Sequence, residues 1–446
     1  MASASSRTLP RASHVWVGLY ALSAAFITYF CMYAFRKPFS AATYENVAGW
    51  PGFFDAGIDF KIAAVIAQVL GYATSKLIGI KIVSEAGAKN RAAMILGFIA
   101  VSWVGLILFA VVPGPWKLAA IFLNGLPLGM IWGLVFAYLE GRRMSEILGA
   151  GLCVSFIVSS GAVKAVGRAM IVDYGVPELW MPALTGALFM PIMALSVWAL
   201  SRTPPPDARD IAERVERRPM FKAERKAFIA ATGFGLLMLV VAYVVLTALR
   251  DFRDNFAVEL WGALGYGDVP SVFALSELPV AGLVLILFAL TALIRDNRQA
   301  VLVYHVMIIA GAVAIAGATF AFQAGWLGPV GWMIAVGAGV YMGYVPYNAV
   351  LADRLTAAIG VPGNAAFFMY VADASGYGGS VALMLIKNFT QLNLSWQAFF
   401  SLLCYGSAAV VALATAASLA YFSLIRFGQK KAKRPDAIIA SQAADN

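Results

Sequence analysis

Long apolar runs separated by short polar breaks organise this chain. Twelve runs are long enough to cross a hydrocarbon layer as helices, for which about 20 residues suffice. They lie at 15–41, 62–80, 92–112, 117–139, 147–171, 179–200, 228–250, 270–294, 300–323, 328–351, 364–386 and 397–424. The runs are continuous rather than alternating, so they predict spanning helices and not barrel strands. The expected fold class is an all-α membrane protein with 12 transmembrane helices. The first run, Val15 to Phe35, is longer than the core of a cleavable signal peptide, and no small-residue cleavage site follows it. The N-terminus is therefore expected to be retained.

Charge changes the picture next. The chain carries 33 lysines and arginines against 23 acids, a formal net charge of +10. Most of these cations fall in alternate loops, in the central segment from Arg202 to Lys226 and in the tail. By the positive-inside rule this places both termini in the cytoplasm. The basic balance is thus topology, and nucleic acid is not an expected partner. Only 13% of residues are charged and 61% are hydrophobic, against roughly a quarter charged in soluble chains. Cys31, Cys153 and Cys404 lie in apolar runs and predict no disulfide framework, and His14 and His305 have no Cys pair to join in a metal site.

The central segment divides six spans from six. It opens on Pro204-Pro205-Pro206 and reads as a linker, with an interfacial helix near Ala208–Arg218. The expected organisation is a six-helix bundle at 1–201, a cytoplasmic basic linker at 202–227, a second six-helix bundle at 228–428 and a cytoplasmic tail at 429–446. The halves repeat each other in order. Phe35-Arg36-Lys37-Pro38-Phe39 ends one first span, and Phe252-Arg253-Asp254-Asn255-Phe256 ends the other. Asn90-Arg91-Ala92-Ala93 matches Asn297-Arg298-Gln299-Ala300, and Glu140-Gly141-Arg142 matches Asp353-Arg354. Two pseudo-symmetric bundles of this kind are a mark of secondary transporters.

Six-plus-six topology around a basic loop resembles the major facilitator superfamily. Tyr33-Ala34-Phe35-Arg36-Lys37-Pro38-Phe39 is similar to the first-helix pattern of its organophosphate:phosphate antiporters. Gly71-Tyr72-Ala73-Thr74-Ser75-Lys76 is similar to their lysine-bearing second helix. Ser276-Glu277-Leu278-Pro279 resembles their eighth helix, and Gly376-Tyr377-Gly378-Gly379-Ser380 their eleventh. Val158, Ser159 and Ser160 stand where those antiporters carry a fifth-helix histidine. Pro38, Tyr138-Leu139-Glu140-Gly141-Arg142-Arg143 and Tyr344-Val345-Pro346-Tyr347-Asn348 resemble a bacterial branch of the superfamily with no assigned function. The resemblance implies a multi-pass protein of the bacterial inner membrane that moves a small anionic solute.

Ionisable residues in apolar runs are costly and mark candidate sites. Arg36 either snorkels to the interface at the end of its run or turns into a cavity. A guanidinium fork suits phosphate or carboxylate. With Arg36, the expected substrate-binding residues are Lys76, Arg250, Arg253, Lys164 and Tyr33. The repeat pairs Arg253 with Arg36, and the antiporter resemblance admits Arg250 as well as Arg253. Two such arginines from opposite halves would hold a dianion near the symmetry axis. Asp251 and Asp254 leave open a salt-bridged rim instead, and Lys164 with Arg168 leaves open an outward-facing pair. Glu277 and Asp373 are the expected coupling or ion-pair acids. Glu140, Arg142, Arg143, Asp353 and Arg354 are expected gating residues at the inner ends of spans 4 and 10. No phosphate-binding loop, zinc signature or catalytic triad is visible, so no enzyme activity and no cofactor are expected. The reading is a monomeric secondary transporter of a small organic anion, and the antiporter resemblance implies a phosphorylated metabolite exchanged for phosphate. Proton-coupled transport of another solute and a non-transporting membrane sensor are the alternatives.

Overall fold

The computed structural model describes residues 11–47, 57–85, 90–139, 145–204, 222–359, 365–389 and 394–427. Its long elements are helices. In chain order they are α1 (Arg11–Tyr33), α2 (Phe60–Glu85), α3 (Arg91–Val111), α4 (Trp116–Phe136), α5 (Ser145–Val172) and α6 (Met181–Ser201). There follow α7 (Lys222–Asn255), the short α8 (Ala257–Ala263) and α9 (Ser271–Leu275), α10 (Glu277–Thr291), α11 (Asn297–Gln323) and α12 (Pro329–Ala349). The last are α13 (Leu351–Ile359), α14 (Ala365–Phe389) and α15 (Trp396–Ala420), closed by a π turn at Tyr421–Phe427.

Among the described residues, nine helices are long and apolar enough to cross a membrane, or ten if α12 and α13, bent by 53°, form one span. The chain is a multi-pass membrane protein. Helices α2 and α14 have comparable length, 26 and 25 residues, but Gln68, Lys76 and Asp373 interrupt their apolar character. The expected interfacial helix at Ala208–Arg218, the C-terminal tail and the gating residues Glu140, Arg142 and Arg143 lie outside the described residues.

Three predicted spans take a different form. Span 1 was expected to run to residue 41, yet α1 stops at Tyr33 and a 3₁₀ turn covers Pro38–Ala41. Pro38 has no N–H to give the carbonyl one turn earlier, and its ring crowds the helical path. Span 8 is interrupted at Ser276, between α9 and α10. Span 7 runs further than expected, so that Arg250, Asp251, Arg253 and Asp254 all lie within α7.

The chain clusters into two compact units: Met1–Glu216, Asp254–Ala281 and Met384–Asn393 make one, and Arg217–Arg253, Gly282–Leu383 and Leu394–Asn446 the other. In the first, α2 packs along α4, α3 packs on α4 and α6, and α1 packs on α5 and α6. The α2–α4 approach needs residues without a side chain. A Cβ on Gly71 would meet the Phe122 carbonyl, and one on Gly125 the Gln68 carbonyl. Small residues at such crossings let backbones touch in a bilayer, where packing rather than water drives helix association. In the second unit, α11 packs on α12, α13 and α15. Two examples show buried polar side chains bonded within the protein, as a bilayer favours. Thr28 donates to Ser196 at 3.1 Å, and the His305 ring lies 2.7 Å from the Val301 carbonyl and 2.9 Å from Ser418 Oγ.

Candidate functional site

The break in α1 creates the first cluster. After Tyr33 the chain turns, with Arg36 N and Lys37 N both donating to the Tyr33 carbonyl at 3.0 and 2.9 Å. The turn places the Arg36 guanidinium carbon 3.9 Å from the centroid of the Tyr72 ring and 5.8 Å from that of Tyr33. Lys76, one turn beyond Tyr72 on α2, brings its ammonium to 5.7 Å from the same Tyr72 ring. Tyr29 meets Tyr33 edge-on at 5.6 Å and Trp132 at 5.0 Å, walling this cluster. Two cations thus lie near one tyrosine ring. Each such contact is worth about 0.5–2 kcal/mol.

The second unit carries a similar motif. The Arg250 guanidinium carbon lies 4.1 Å from the Tyr344 ring centroid. Its Nη2 donates to Asp251 Oδ1 at 2.6 Å, and Ser380 Oγ donates to Asp251 Oδ2 at 2.7 Å. Tyr344 stacks on Tyr243 at 5.2 Å and 19°, and the Tyr243 hydroxyl donates to Asp373 Oδ1 at 2.5 Å. A narrow recess lined by Tyr243, Tyr347, Asn348, Ala372 and Asp373 opens beside that bond.

A third cluster lies where α1 ends, within the first unit. Asp254 receives Lys37 and Lys164, each at 2.5 Å, and the Ser160 hydroxyl. Lys37 also donates to Asn255 Oδ1 at 2.9 Å. Lys61 pairs with Glu259 at 2.6 Å, and Arg168 reaches the Gly267 carbonyl at 2.9 Å and Asp268 at 3.2 Å. These bonds hold the segment from Asp254 to Asp268 to the turn after α1, to α2 and to α5.

Residues 38–424 match the family described as "Family of unknown function (DUF5690)". The chain belongs to this family. No curated protein matches it. Three solved structures resemble this DUF5690 member over nearly their whole lengths. A D-xylose–proton symporter is 13% identical with a TM-score of 0.62, covering 91% of this chain and 97% of that one. The nucleoside transporter NupG is 14% identical with a TM-score of 0.57, covering 90% and 99%. A bacterial homologue of the human drug peptide transporters is 15% identical with a TM-score of 0.56, covering 92% and 99%. At such identities the likeness shows the fold alone, which this chain shares with these three transporters.

In this DUF5690 member, Arg36, Lys76 and Tyr33 come together around Tyr72. Arg250 lies on Tyr344, whereas Arg253 is buried and donates to the Met333 carbonyl at 3.1 Å. Lys164, expected beside substrate, is instead held by Asp254. Of the two expected coupling acids, Asp373 is joined to Tyr243, and Glu277 starts α10 in the first unit, its Cγ filling the space beside Gly161. Arg354 donates to Asn297 at 2.9 Å, and Asp353 is exposed. Sequence reasoning passed over Gln68, Asn124, Tyr243 and Lys61. The first two are isolated amides inside apolar runs, a signal that was present. Tyr243 has no such signal, because an aromatic residue in a spanning run is ordinary.

Proposed function

We propose that the chain is a secondary transporter of a small organic anion, working by alternating access in the bacterial inner membrane. Twelve helices would span it, with α2 and α14 among them and both termini in the cytoplasm. The observation that carries this reading is the pair of cations, Arg36 and Lys76, on the one Tyr72 ring inside a helix bundle. Cations placed inside a helix bundle are rare in membrane proteins and mark substrate or ion pathways. Arginine on an aromatic face is suited to a carboxylate or phosphate through its planar fork. The resemblance of Arg36, Lys76 and their flanking residues to the organophosphate:phosphate antiporters makes phosphate and phosphorylated metabolites the leading substrates. Proteoliposomes loaded with phosphate test it: external labelled phosphate or hexose phosphate should exchange with the internal pool. Folded protein that exchanges neither would eliminate the antiport.

One observation favours a second reading. Asp373, an acid within α14, lines the narrow recess beside Tyr243, and an intramembrane acid marks a place where transport of another solute could be coupled to the proton gradient. Uptake driven by an imposed pH gradient, and lost in Asp373→Asn with exchange retained, would support it. A sensor without flux predicts ligand-induced stabilisation and no turnover.

A further inference from the structure

The break in α1 exposes two carbonyls, and both are taken by side-chain amides from other helices. Asn124 Nδ2 on α4 donates to the Phe35 carbonyl at 2.8 Å. Gln68 Nε2 on α2 donates to the Arg36 carbonyl at 2.8 Å. The two amides are joined, since Gln68 Nε2 also donates to Asn124 Oδ1 at 2.8 Å. Asn124 Nδ2 is anchored in turn on α3, at 2.7 Å from Ser102 Oγ and 3.0 Å from the Ser102 carbonyl. Gln68 is 4% exposed, and Asn124 and Ser102 are fully buried.

The Phe35 and Arg36 carbonyls belong to the two peptide planes on either side of the Arg36 Cα. Holding both planes sets φ and ψ at Arg36. The backbone angles in turn select which side-chain rotamers are open to it. Resting on the reading of Arg36 as the anion-binding cation, we infer that Gln68 and Asn124 are its positioning residues: they hold the unwound backbone so that the guanidinium lies on Tyr72. Three helices converge on this one residue. The close α2–α4 approach at Gly125, against the Gln68 carbonyl, is what brings the two amides within reach of each other. Amides serve here because each offers donors and an acceptor without a charge to bury.

The test separates positioning from mere stabilisation. Gln68→Met keeps the side-chain length and removes the donor to the Arg36 carbonyl. Thr185→Val is the control. It removes a buried hydroxyl whose bonds, to the Met181 carbonyl at 2.9 Å and to Met170 Sδ at 3.4 Å, reach only α6 and α5. Full-length protein in detergent, shown to be folded by its melting transition, is labelled with phenylglyoxal. Mass spectrometry then gives the rate at each arginine. Gln68→Met should change the Arg36 rate by about threefold or more, the scale set by one lost hydrogen bond. Arg250 should keep its rate, and Thr185→Val should leave both unchanged. A parallel titration with inorganic phosphate should show its dissociation constant raised about tenfold in Gln68→Met.

An unchanged Arg36 rate in folded Gln68→Met overturns the inference. A changed rate in a protein whose wild type ignores phosphate and hexose phosphate leaves positioning standing and removes the anion reading. Should Gln68→Met fail to fold, Asn124→Ser, too short to reach the Phe35 carbonyl, is read by the same labelling and the same criterion.

Discussion

At Arg36 the chemistry rests on the shape of the cation and not on charge alone. A guanidinium can stack on an aromatic ring such as Tyr72 and present a planar fork to an oxyanion, and an ammonium can do neither as well. Arg36→Lys should therefore weaken binding of phosphate or hexose phosphate by about tenfold, a loss of roughly 1.4 kcal/mol. The melting temperature should stay near that of the wild type. Calorimetric titration checks it, and retained affinity would make Arg36 an interfacial anchor. The sequence marked this residue plainly, because a cation in an apolar run is rare. It did not reveal that Tyr72 is the surface beneath it, since residues 36 apart in number meet only after α1 and α2 have packed.

The α2–α4 pair is the element on which the first cluster depends. Gly71 and Gly125 allow the two backbones to touch, and Gln68, Tyr72 and Asn124 lie along that seam. Gly125→Val would drive a side chain into the Gln68 carbonyl. It should cost about 1–3 kcal/mol or more by overpacking, read as a lower melting temperature in detergent. Gly97 on α3 has open space at the corresponding position. Gly97→Ala should be neutral or stabilise by about 0.5–1 kcal/mol through helix propensity. A similar cost at both positions would show that the seam is not tight. The boundaries of spans were readable to within a turn or two. The stop of α1 at Tyr33 was also readable in principle, because Pro38 stands one turn ahead. An uncharged stretch after it made a continuing helix look acceptable.

At the scale of the molecule, buried ion pairs decide where the segment from Asp254 onward packs. Lys37 and Lys164 are 5% and 4% exposed and share Asp254. Removing a shared carboxylate strands buried charge, so Asp254→Asn should cost about 3–5 kcal/mol and lower the melting temperature by more than any surface substitution. A shift no larger than that of a surface control would place these lysines in water. Glu259, on the short α8, adds a pH dependence. Burial pushes its carboxyl up from the ordinary 4.5, against the pull of Lys61. The folded protein thus holds this proton more tightly than the unfolded chain. The stabilisation it contributes is present at low pH and is lost as pH rises through the raised value. Melting temperatures of wild type and Glu259→Gln, compared from about pH 4.5 to 7, should show the wild type losing ground as pH rises.

By itself the sequence determined the class of molecule: apolar runs of spanning length form helices in lipid, and the repeated motifs are the ground for expecting two six-helix bundles. It also identified most of the costly ions, because charge in an apolar run is conspicuous wherever the chain later places it. Tertiary structure alone decided their roles. It put Arg250 rather than Arg253 on a tyrosine ring, gave Lys164 to Asp254, and set Gln68 and Asn124 on the two peptide planes that flank Arg36. Those assignments depend on which helix faces meet, and two helices meet where small residues let their backbones approach, a property of pairs that no single run displays.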